Sequence, residues 1–286
     1  MDLLTQLNRA MVFVEEHICD DIALADISSV TAYSGYHFRR LFYYLAEMPL
    51  SEYIRKRKMS LAAADLQNGC DRVIDLAVKY GYDNADSFTR AFVRQHGLTP
   101  TAAREPGAAF KIFPSLSFQI KIKGVQEMNW RIEKKDAFEV FGIERIYKND
   151  AWRDIPAFWD EKFKDGSTER LIKQAGRSDL MGTSSHTDAE ADGFSYMICL
   201  FAGDGCDTGG FKAVKIPEAT WAIFRGEDMD SSEDFGTVTP KLFERAYSEW
   251  LPSSGYEKAN APEMELYCTT ENGKFYDEIW IPVVKK

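Results

Sequence analysis

The sequence predicts a multidomain chain in which an all-α tandem helix-turn-helix domain precedes an α+β domain. A short helical pattern occurs twice within the first hundred residues, as YHFRRLF and as DSFTRAF. Helical periodicity then stops at AREPGAAFKIFPSLSF, where proline and glycine interrupt it. Beyond that stretch, several runs alternate with the period of two that is typical of strands. We place the domains at residues 1–107 and 128–286, joined by a linker, partly strand, at 108–127.

Charge is distributed unevenly along the 286 residues. The formal net charge is −10, which by itself argues against nucleic-acid binding. Residues 1–107, however, hold 12 Lys and Arg against 14 Asp and Glu, so this part is nearly neutral. Because salt screens charges beyond about 10 Å, a local basic patch matters more than the total. The RKRK run at 55–58 is either a solvated helix face or a set of phosphate contacts.

Each copy of the repeated pattern consists of a short helix, a turn and a second helix, which is the helix-turn-helix arrangement. In both second helices the pattern is Phe-x-Arg-x-Phe, at 38–42 and at 88–92. Phenylalanines four residues apart share a helix face, so we expect them to be core. Arg40 and Arg90 are then predicted to face outward, where arginine can bind guanine or a phosphate.

Short polar residues mark the ends of these helices. Ser34 in the first copy, and Asp83 or Asn84 in the second, are candidate N-caps. The intervening segment SEYIRKRKMSLAAADLQNG is predicted to be one helix, capped by Ser51 and ended by Gly69. At 1.5 Å per residue it spans roughly 25 Å, enough to hold two second helices about one DNA turn apart.

The first domain resembles the AraC/XylS DNA-binding family. The resemblance lies in YSGYHFRRLF, YIRKRKMSLAAADL and VIDLAVKYGYDNADSFTRAFVRQHGLTP, followed by Arg104, and covers residues 5–107. It implies two helix-turn-helix units of one chain in successive major grooves of promoter DNA. By position, the implied DNA-contacting residues of the two recognition helices are Tyr36, Arg39, Arg40, Ala85, Asp86, Ser87, Thr89 and Arg90.

Two residues depart from that family pattern. Glu47 stands in the turn after the first recognition helix, where the family usually has glycine. Asp86 places an acidic side chain where DNA is expected; it can accept from cytosine, or it can be repelled by phosphate. We therefore expect the second recognition helix to contribute less affinity than the first.

The second half of the sequence predicts two related units. Strand-like runs flank two helix-like stretches, DIPAFWDEKFKDGSTERLIKQ and GTVTPKLFERAYSEWLP. The order strand–helix–strand–strand occurs twice, which predicts two β-α-β-β units in an antiparallel sheet.

Cofactors, metals and a membrane anchor are not expected. The five cysteines are scattered without a CxxC pair, which favours a reducing cytoplasm over disulfides or zinc. The loop GDGCDTGG lacks the lysine of a phosphate-binding loop, and Asp204 and Asp207 in it suggest a surface turn rather than a calcium site. His186 is expected to be solvated, and neither a signal peptide nor an apolar run of transmembrane length is present.

The last strand, YDEIWIPV, combines an acid with an aromatic residue. Period-two alternation places Glu278 and Trp280 on one face. From the residues alone, Glu278 is either a rim charge or the anionic floor of an aromatic cavity that would attract organic cations.

This part of the chain resembles the GyrI-like small-molecule-binding domain that follows the DNA-binding domain in Rob-like regulators. The matching stretches are FEVFGI, TWAIFRG and YSEWLPSSGYE…PEMELY…YDEIWIPV. The resemblance implies paired β-α-β-β units around a ligand cleft, with Glu278 as the ligand-contacting acid. The predicted aromatic walls are Trp280, Trp221, Trp159 and Tyr147, whereas Trp250 is predicted to be core.

Together these features predict a cytoplasmic transcription regulator, associated with the nucleoid when bound to DNA. Its second domain would bind a small hydrophobic effector, with a cation as one option, and RNA polymerase is a further candidate partner. Two other hypotheses stay open: a hydrolase of reactive small molecules with Glu278 as general base, and a protein-partner module. The sequence leaves the operator, the effector, the direction of regulation and the oligomeric state undefined.

Overall fold

The fold is described from a computed structural model of the chain. It covers residues 3–31, 33–69, 72–119, 127–148, 154–185, 193–203, 205–232 and 235–286, with backbone only at Leu24, Tyr36, Lys148, Ser185 and Gly193. Two compact units are present, residues 1–119 and residues 120–286. In the described residues, no helix has both the length and the apolar character needed to cross a membrane.

The first unit is helical. Its helices are α1 Leu3–Glu16, α2 Leu24–Val30, α3 Gly35–Ala46, α4 Leu50–Asn68, α5 Val73–Lys79 and α6 Ala85–His96, followed by a 3₁₀ turn, Ala102–Arg104. The pairs α2–α3 and α5–α6 are the two predicted helix-turn-helix units, and α4 connects them. This confirms the predicted tandem arrangement.

Side-chain caps start both recognition helices, α3 and α6. The Ser34 hydroxyl accepts from the His37 backbone N–H at 3.3 Å, and the Asn84 side-chain oxygen accepts from the Ser87 N–H at 2.8 Å. Of the two candidates for the second copy, Asn84 is therefore the cap. Ser51 is not a cap, because α4 already begins at Leu50 with Pro49 before it. Gly69 follows the last residue of α4, as predicted, and adopts the left-handed conformation.

The phenylalanines of the repeated pattern form the core of the helical unit. Phe38, Phe42, Phe88 and Phe92 are fully buried. Within α6, Phe88 packs in a cluster with Met59, Leu66 and other apolar residues of α4. The recognition helices are thus anchored through the faces that the sequence pattern indicates, and the stabilisation is the usual burial of large apolar side chains.

Residues 108–119 belong to the helical unit, although the sequence predicted a linker there. The Phe113 N–H donates to the Ser60 hydroxyl at 2.8 Å, and the Leu116 N–H donates to the Tyr53 hydroxyl at 3.0 Å. Phe118 exchanges two backbone hydrogen bonds with the Asn8 amide. The predicted strand at 116–124 is absent from 116–119, and residues 120–126 lie outside the described part.

The second unit is an antiparallel sheet with helices. Its strands are β1 Asn129–Lys135, β2 Phe138–Lys148, β3 Met181–Ser185, β4 Gly193–Phe201, β5 Lys212–Ile216, β6 Ala219–Arg225, β7 Tyr256–Lys258, β8 Glu263–Thr269 and β9 Phe275–Lys285. Its helices are α7 Ile155–Lys164, α8 Ser167–Ala175 and α9 Phe235–Arg245, the last continuing through a π-helical turn, Ala246–Trp250. The sequence did not predict β3 or β7.

The strand order reveals the internal duplication that was predicted from the order of elements. Along the sheet the order is β1-β6-β9-β8-β3-β4-β2-β5, with β7 paired to β9. The order is symmetric about the β8–β3 contact, so β2-α7-α8-β3-β4 and β6-α9-β8-β9 are equivalent β-α-β-β units. Each unit's preceding strand pairs with the other unit: β1 pairs with β6, and β5 with β2.

The sheet curls so strongly that its two ends meet. β2 and β6 are five positions apart, about 24 Å in a flat sheet. The rings of Phe138 on β2 and Trp221 on β6 nevertheless lie 6.4 Å apart. The concave face therefore encloses an apolar core that includes Met197, Trp221, Met264 and Trp280, whereas α7 and α9 contact side chains of the other face, called here the helix-covered face.

Candidate functional site

The first recognition helix does not present both of its arginines. Arg39 is half-buried, whereas Arg40 is only 1% exposed. The prediction that Arg40 faces outward is therefore wrong. Its guanidinium lies over the Tyr44 ring, 5.7 Å from the ring centroid, so an aromatic residue one turn along the helix draws it inward. The predicted role of the Tyr36 side chain lies outside the described residues.

The second recognition helix is more open. Asp86 and Arg90 are exposed, and Ala85, Ser87 and Thr89 are half-buried. The Ser87 hydroxyl also donates to the Asn84 carbonyl at 3.0 Å, so this side chain takes part in the cap. Arg90 thus has the outward position that the pattern indicates.

The RKRK run divides into two pairs of different environment. Arg57 forms a close ion pair with Glu15 (2.7 Å) and donates to the Phe113 carbonyl at 2.9 Å. Lys56 pairs with Glu52 at 3.0 Å and lies over the Phe113 ring. Arg55 and Lys58 instead line a cavity shared with Arg39. The sequence alone allows either a solvated helix face or a set of phosphate contacts, and neither alternative describes all four residues.

Glu278 is paired with a cation of the protein itself. Its two carboxylate oxygens accept from Arg131 at 2.7 and 3.1 Å, and one of them accepts from the Trp280 indole N–H at 3.0 Å. This pairing, foremost the hydrogen bond to Glu278, raises the pKa of Arg131. Lys135 adds a second positive charge, 4.6 Å from the Trp280 ring. A ligand cation at Glu278 would have to compete with Arg131.

The predicted aromatic walls do not surround one site. Trp221 is fully buried and Trp280 is 6% exposed, and both lie in the concave core, where Trp280 donates a hydrogen bond to Glu278. Trp159 and Tyr147 lie on the helix-covered face, where Trp159 contacts Tyr267 and Tyr147 stacks on Phe194. The expectation of a single cavity containing Glu278 and all four rings is therefore wrong. Trp250, 8% exposed, is core as predicted.

A different carboxylate lies among the aromatic residues of the helix-covered face. One oxygen of Glu265, on β8, accepts from the Tyr267 hydroxyl at 2.8 Å and from the Tyr196 hydroxyl at 3.2 Å. The Trp159 indole N–H donates to the same Tyr196 hydroxyl at 2.9 Å. Burial, and then the charge of Glu265, raise the pKa of both tyrosines, so they remain protonated donors.

The fold makes room for this arrangement at Gly182 on β3. A Cβ atom there would lie 2.1 Å from the Tyr196 hydroxyl and 3.3 Å from a Glu265 oxygen. Gly182 is the direct register partner of Glu265 across the symmetric centre of the sheet. Phe235 of α9 closes the group from the other side, 4.7 Å from the Tyr267 ring.

Sequence reasoning missed Glu265 although the signal was available. In EMELY, period-two alternation places Glu265 and Tyr267 on one face of a strand, the same argument that was applied to Glu278 and Trp280. Tyr196 could not be assigned to the group from sequence, because its contact with Glu265 depends on the β3–β4 and β3–β8 pairings.

The described residues contain no cluster of His, Cys, Asp or Glu that could hold a metal ion. Asp207 accepts from the Gly209 N–H at 2.9 Å within a turn, as expected for a surface loop. Asp204 and His186 lie outside the described residues.

Two family models match the chain. One, described as a helix-turn-helix domain, matches residues 27–106. The other, described as Cass2, integron-associated effector binding protein, matches residues 131–283. Each match lies within one of the two units of the fold.

Among curated proteins, relatives match the first unit. The HTH-type transcriptional activator AarP of Providencia stuartii is 35% identical over 98 residues, which is 34% of this chain and 73% of AarP. The transcriptional regulator Rob of Salmonella typhimurium is 30% identical over 118 residues, 41% of this chain and 41% of Rob. YbfP of Bacillus subtilis, an uncharacterized regulator, is 33% identical, and the match spans 33% of its length.

Solved structures resemble the second unit. SAV2435, whose structure was determined bound to tetraphenylphosphonium, is 18% identical, with a TM-score of 0.44 over 55% of this chain and 94% of that one. The integron cassette protein VCH_CASS2 of Vibrio cholerae is 14% identical, with a TM-score of 0.37 over 54% and 95%. At these scores neither likeness supports a functional argument.

Proposed function

The chain belongs to the integron-associated effector-binding family, with an AraC-type DNA-binding unit before a GyrI-like unit, and we propose that the second unit binds a small hydrophobic cation at Glu265. The contact that carries the proposal is a carboxylate held by two phenol hydroxyls among aromatic rings. Binding of the effector would then change the affinity of the first unit for promoter DNA.

The chemistry of the Glu265 group favours an organic cation. A carboxylate supplies charge, and the faces of Trp159 and Tyr267 supply the ring quadrupoles that attract a cation. Apolar rings with one fixed polar group are the usual composition of a small-molecule site. The Tyr196 and Tyr267 hydroxyls fix the position of this carboxylate by hydrogen bonds. A ligand cation at Glu278 would instead have to displace Arg131.

The test compares two carboxylates in the full chain. We expect tetraphenylphosphonium, a rigid hydrophobic cation, to raise the melting temperature, and the neutral triphenylphosphine oxide to raise it much less. At a concentration of 100 Kd a ligand stabilises by about 2.7 kcal/mol. Glu265→Gln should weaken binding about tenfold or more, because it removes the negative charge that attracts the cation in a half-buried site.

Glu278→Gln is the matched control, because that residue was the sequence-based choice. If ligand binding were lost in Glu278→Gln and kept in Glu265→Gln, Glu278 rather than Glu265 would be the ligand-contacting acid. Equal binding of the cation and the neutral compound would contradict the preference for charge. Turnover of a reactive ligand that disappears in Glu265→Gln would favour the hydrolase alternative over simple binding.

For the DNA-binding unit, we infer that Arg39 of α3 and Arg90 of α6 are the arginines that contact DNA. Arg90 is exposed and Arg39 is half-buried, whereas Arg40 is buried. Ala85, Asp86, Ser87 and Thr89 lie on the same helix as Arg90 and remain candidate contacts, and RNA polymerase remains a predicted partner.

A further inference from the structure

A cavity of about 310 Å³ lies between the two helix-turn-helix halves of the first unit. Arg39 of the first recognition helix lines it on one side, and Tyr80, Gly81 and Tyr82, from the turn before the second recognition helix, line it on the other. The N-terminal half of α4 forms its floor. The cavity thus lies between the two elements that are expected to read DNA.

Arg55 and Lys58 project into this cavity from α4. They are three residues apart and therefore share a helix face. Lys58 reaches the second half, since its amino group lies 3.3 Å from where a Cβ of Gly81 would be. In the part of the chain that the structure describes, neither side chain has an ion-pair partner within 4.0 Å.

The other two members of the RKRK run are engaged elsewhere. Lys56 is held by Glu52 and Phe113, and Arg57 by Glu15 and the Phe113 carbonyl. The run therefore has two structural members that hold residues 108–119 and two members that face the cavity. Lys56 and Arg57 therefore have a structural role, whereas Arg55 and Lys58 are available to bind phosphate.

We propose, on the basis of the DNA-binding function inferred above, that Arg55 and Lys58 bind the DNA backbone where it passes between the two half-sites. Two recognition helices in successive major grooves lie about 34 Å apart, and the intervening backbone crosses the middle of the protein face. Because the cavity is lined by Arg39 of α3 and by the turn before α6, Arg55 and Lys58 lie between the two recognition elements, near that crossing. Phosphate is the chemistry that two cations at this spacing would recognise.

Asp20 and Asp21 line the same cavity and are exposed. Their charges oppose a phosphate and offset part of the attraction of Arg55 and Lys58. The proposal therefore predicts opposite changes in DNA affinity: neutralising the basic pair weakens DNA binding, and neutralising the acidic pair strengthens it.

The test is a salt titration of DNA binding by the full chain, with a duplex of arbitrary sequence about three helical turns long. Each phosphate contact contributes about 0.9 to the slope of log K against log salt. Lys58→Gln should reduce the magnitude of this negative slope by about 1, and the double variant Arg55→Gln, Lys58→Gln should reduce it by about 2. The affinity should fall by a similar factor on every sequence, because phosphates carry no base information.

Lys56→Gln is the matched control from the same run and should leave the slope unchanged. Asp20→Asn with Asp21→Asn should raise the affinity about threefold or more at low salt. A wild-type slope in Lys58→Gln, or an equal fall in Lys56→Gln, would overturn the proposal. Absence of any DNA binding by the wild-type chain would instead contradict the DNA-binding function itself, so the two failures are distinguishable. Thermal melting of each variant verifies that it is folded.

Discussion

The two recognition helices share a sequence pattern but differ in what they present. Both begin at a side-chain cap, Ser34 or Asn84, and both bury their phenylalanines fully. The arginine in the middle of the pattern, however, is 1% exposed in α3 and exposed in α6. The pattern thus fixes the inner face of each helix and leaves the position of the arginine to its neighbours.

The residue one turn further along explains the difference. Tyr44 follows Arg40 by four residues and offers a ring face to the guanidinium. At the equivalent position after Arg90 stands Arg94, which is exposed and has no aromatic ring to offer. A repeat within one chain therefore does not guarantee a repeated function for each of its residues.

The largest expected effect is a difference in protein stability between variants of Arg40 and variants of Arg90. Arg40→Ala should destabilise the helical unit by about 2–4 kcal/mol, because it removes a long, fully buried side chain. Arg90→Ala should change stability by less than about 0.5 kcal/mol, as is usual for exposed positions. Urea unfolding of both variants measures the difference. Similar losses in the two variants would mean that the helices are equivalent after all.

The ends of the two helices give a second, smaller contrast. Gly97, with φ 81°, follows the last residue of α6, and Glu47, with φ 54°, follows the last residue of α3. Glu47 is the one non-glycine residue with positive φ in the described part of the chain. Gly97→Ala should destabilise by about 1–2 kcal/mol, since its Cβ would meet open space but the backbone would be strained. Glu47→Gly should stabilise by roughly 0.5 kcal/mol, because the relief of strain exceeds the added freedom of the unfolded chain.

Thermal unfolding of these two variants checks the signs. A stabilising Gly97→Ala, or a destabilising Glu47→Gly, would show that the left-handed ends are not the source of the contrast. Glu47, which stands where the family usually has glycine, is then expected to lower the stability of the first helix-turn-helix unit.

A third contrast concerns pH. His96 of α6 is buried and its ring contacts the Met59 carbonyl at 3.1 Å; the equivalent position in α3 is Ala46. Burial lowers the pKa of His96 in the folded state, so below the ordinary value of about 6.5 the unfolded chain binds more protons. Stability is therefore full above that pH and is lost as pH falls.

Comparing unfolding free energies near pH 7.5 and near pH 5.5, in the wild type and in His96→Gln, isolates this contribution. The variant should show the smaller loss on acidification. An equal loss in both proteins would assign the pH dependence to other groups.

Much of the fold, but less of the sites, was predictable from the sequence. Periodicity identified the recognition helices and most of the strands, because burial of a helix face or strand face is a local property. The order of these elements then predicted the duplicated β-α-β-β units. The position of residues 108–119 was missed, since their contacts with Asn8, Tyr53 and Ser60 join distant parts of the chain. The pairing of Glu278 with Arg131 was hidden for the same reason, as 147 residues separate the two.

The most direct test of the account is selection of binding sites from a pool of random duplexes. The wild-type chain should select two half-sites about 10 base pairs apart. Arg39→Ala should erase base preference in one half-site and Arg90→Ala in the other, each at a cost of about 1–3 kcal/mol for the preferred base. A single half-site, or an identical loss of preference in both variants, would contradict a chain with two separate reading helices.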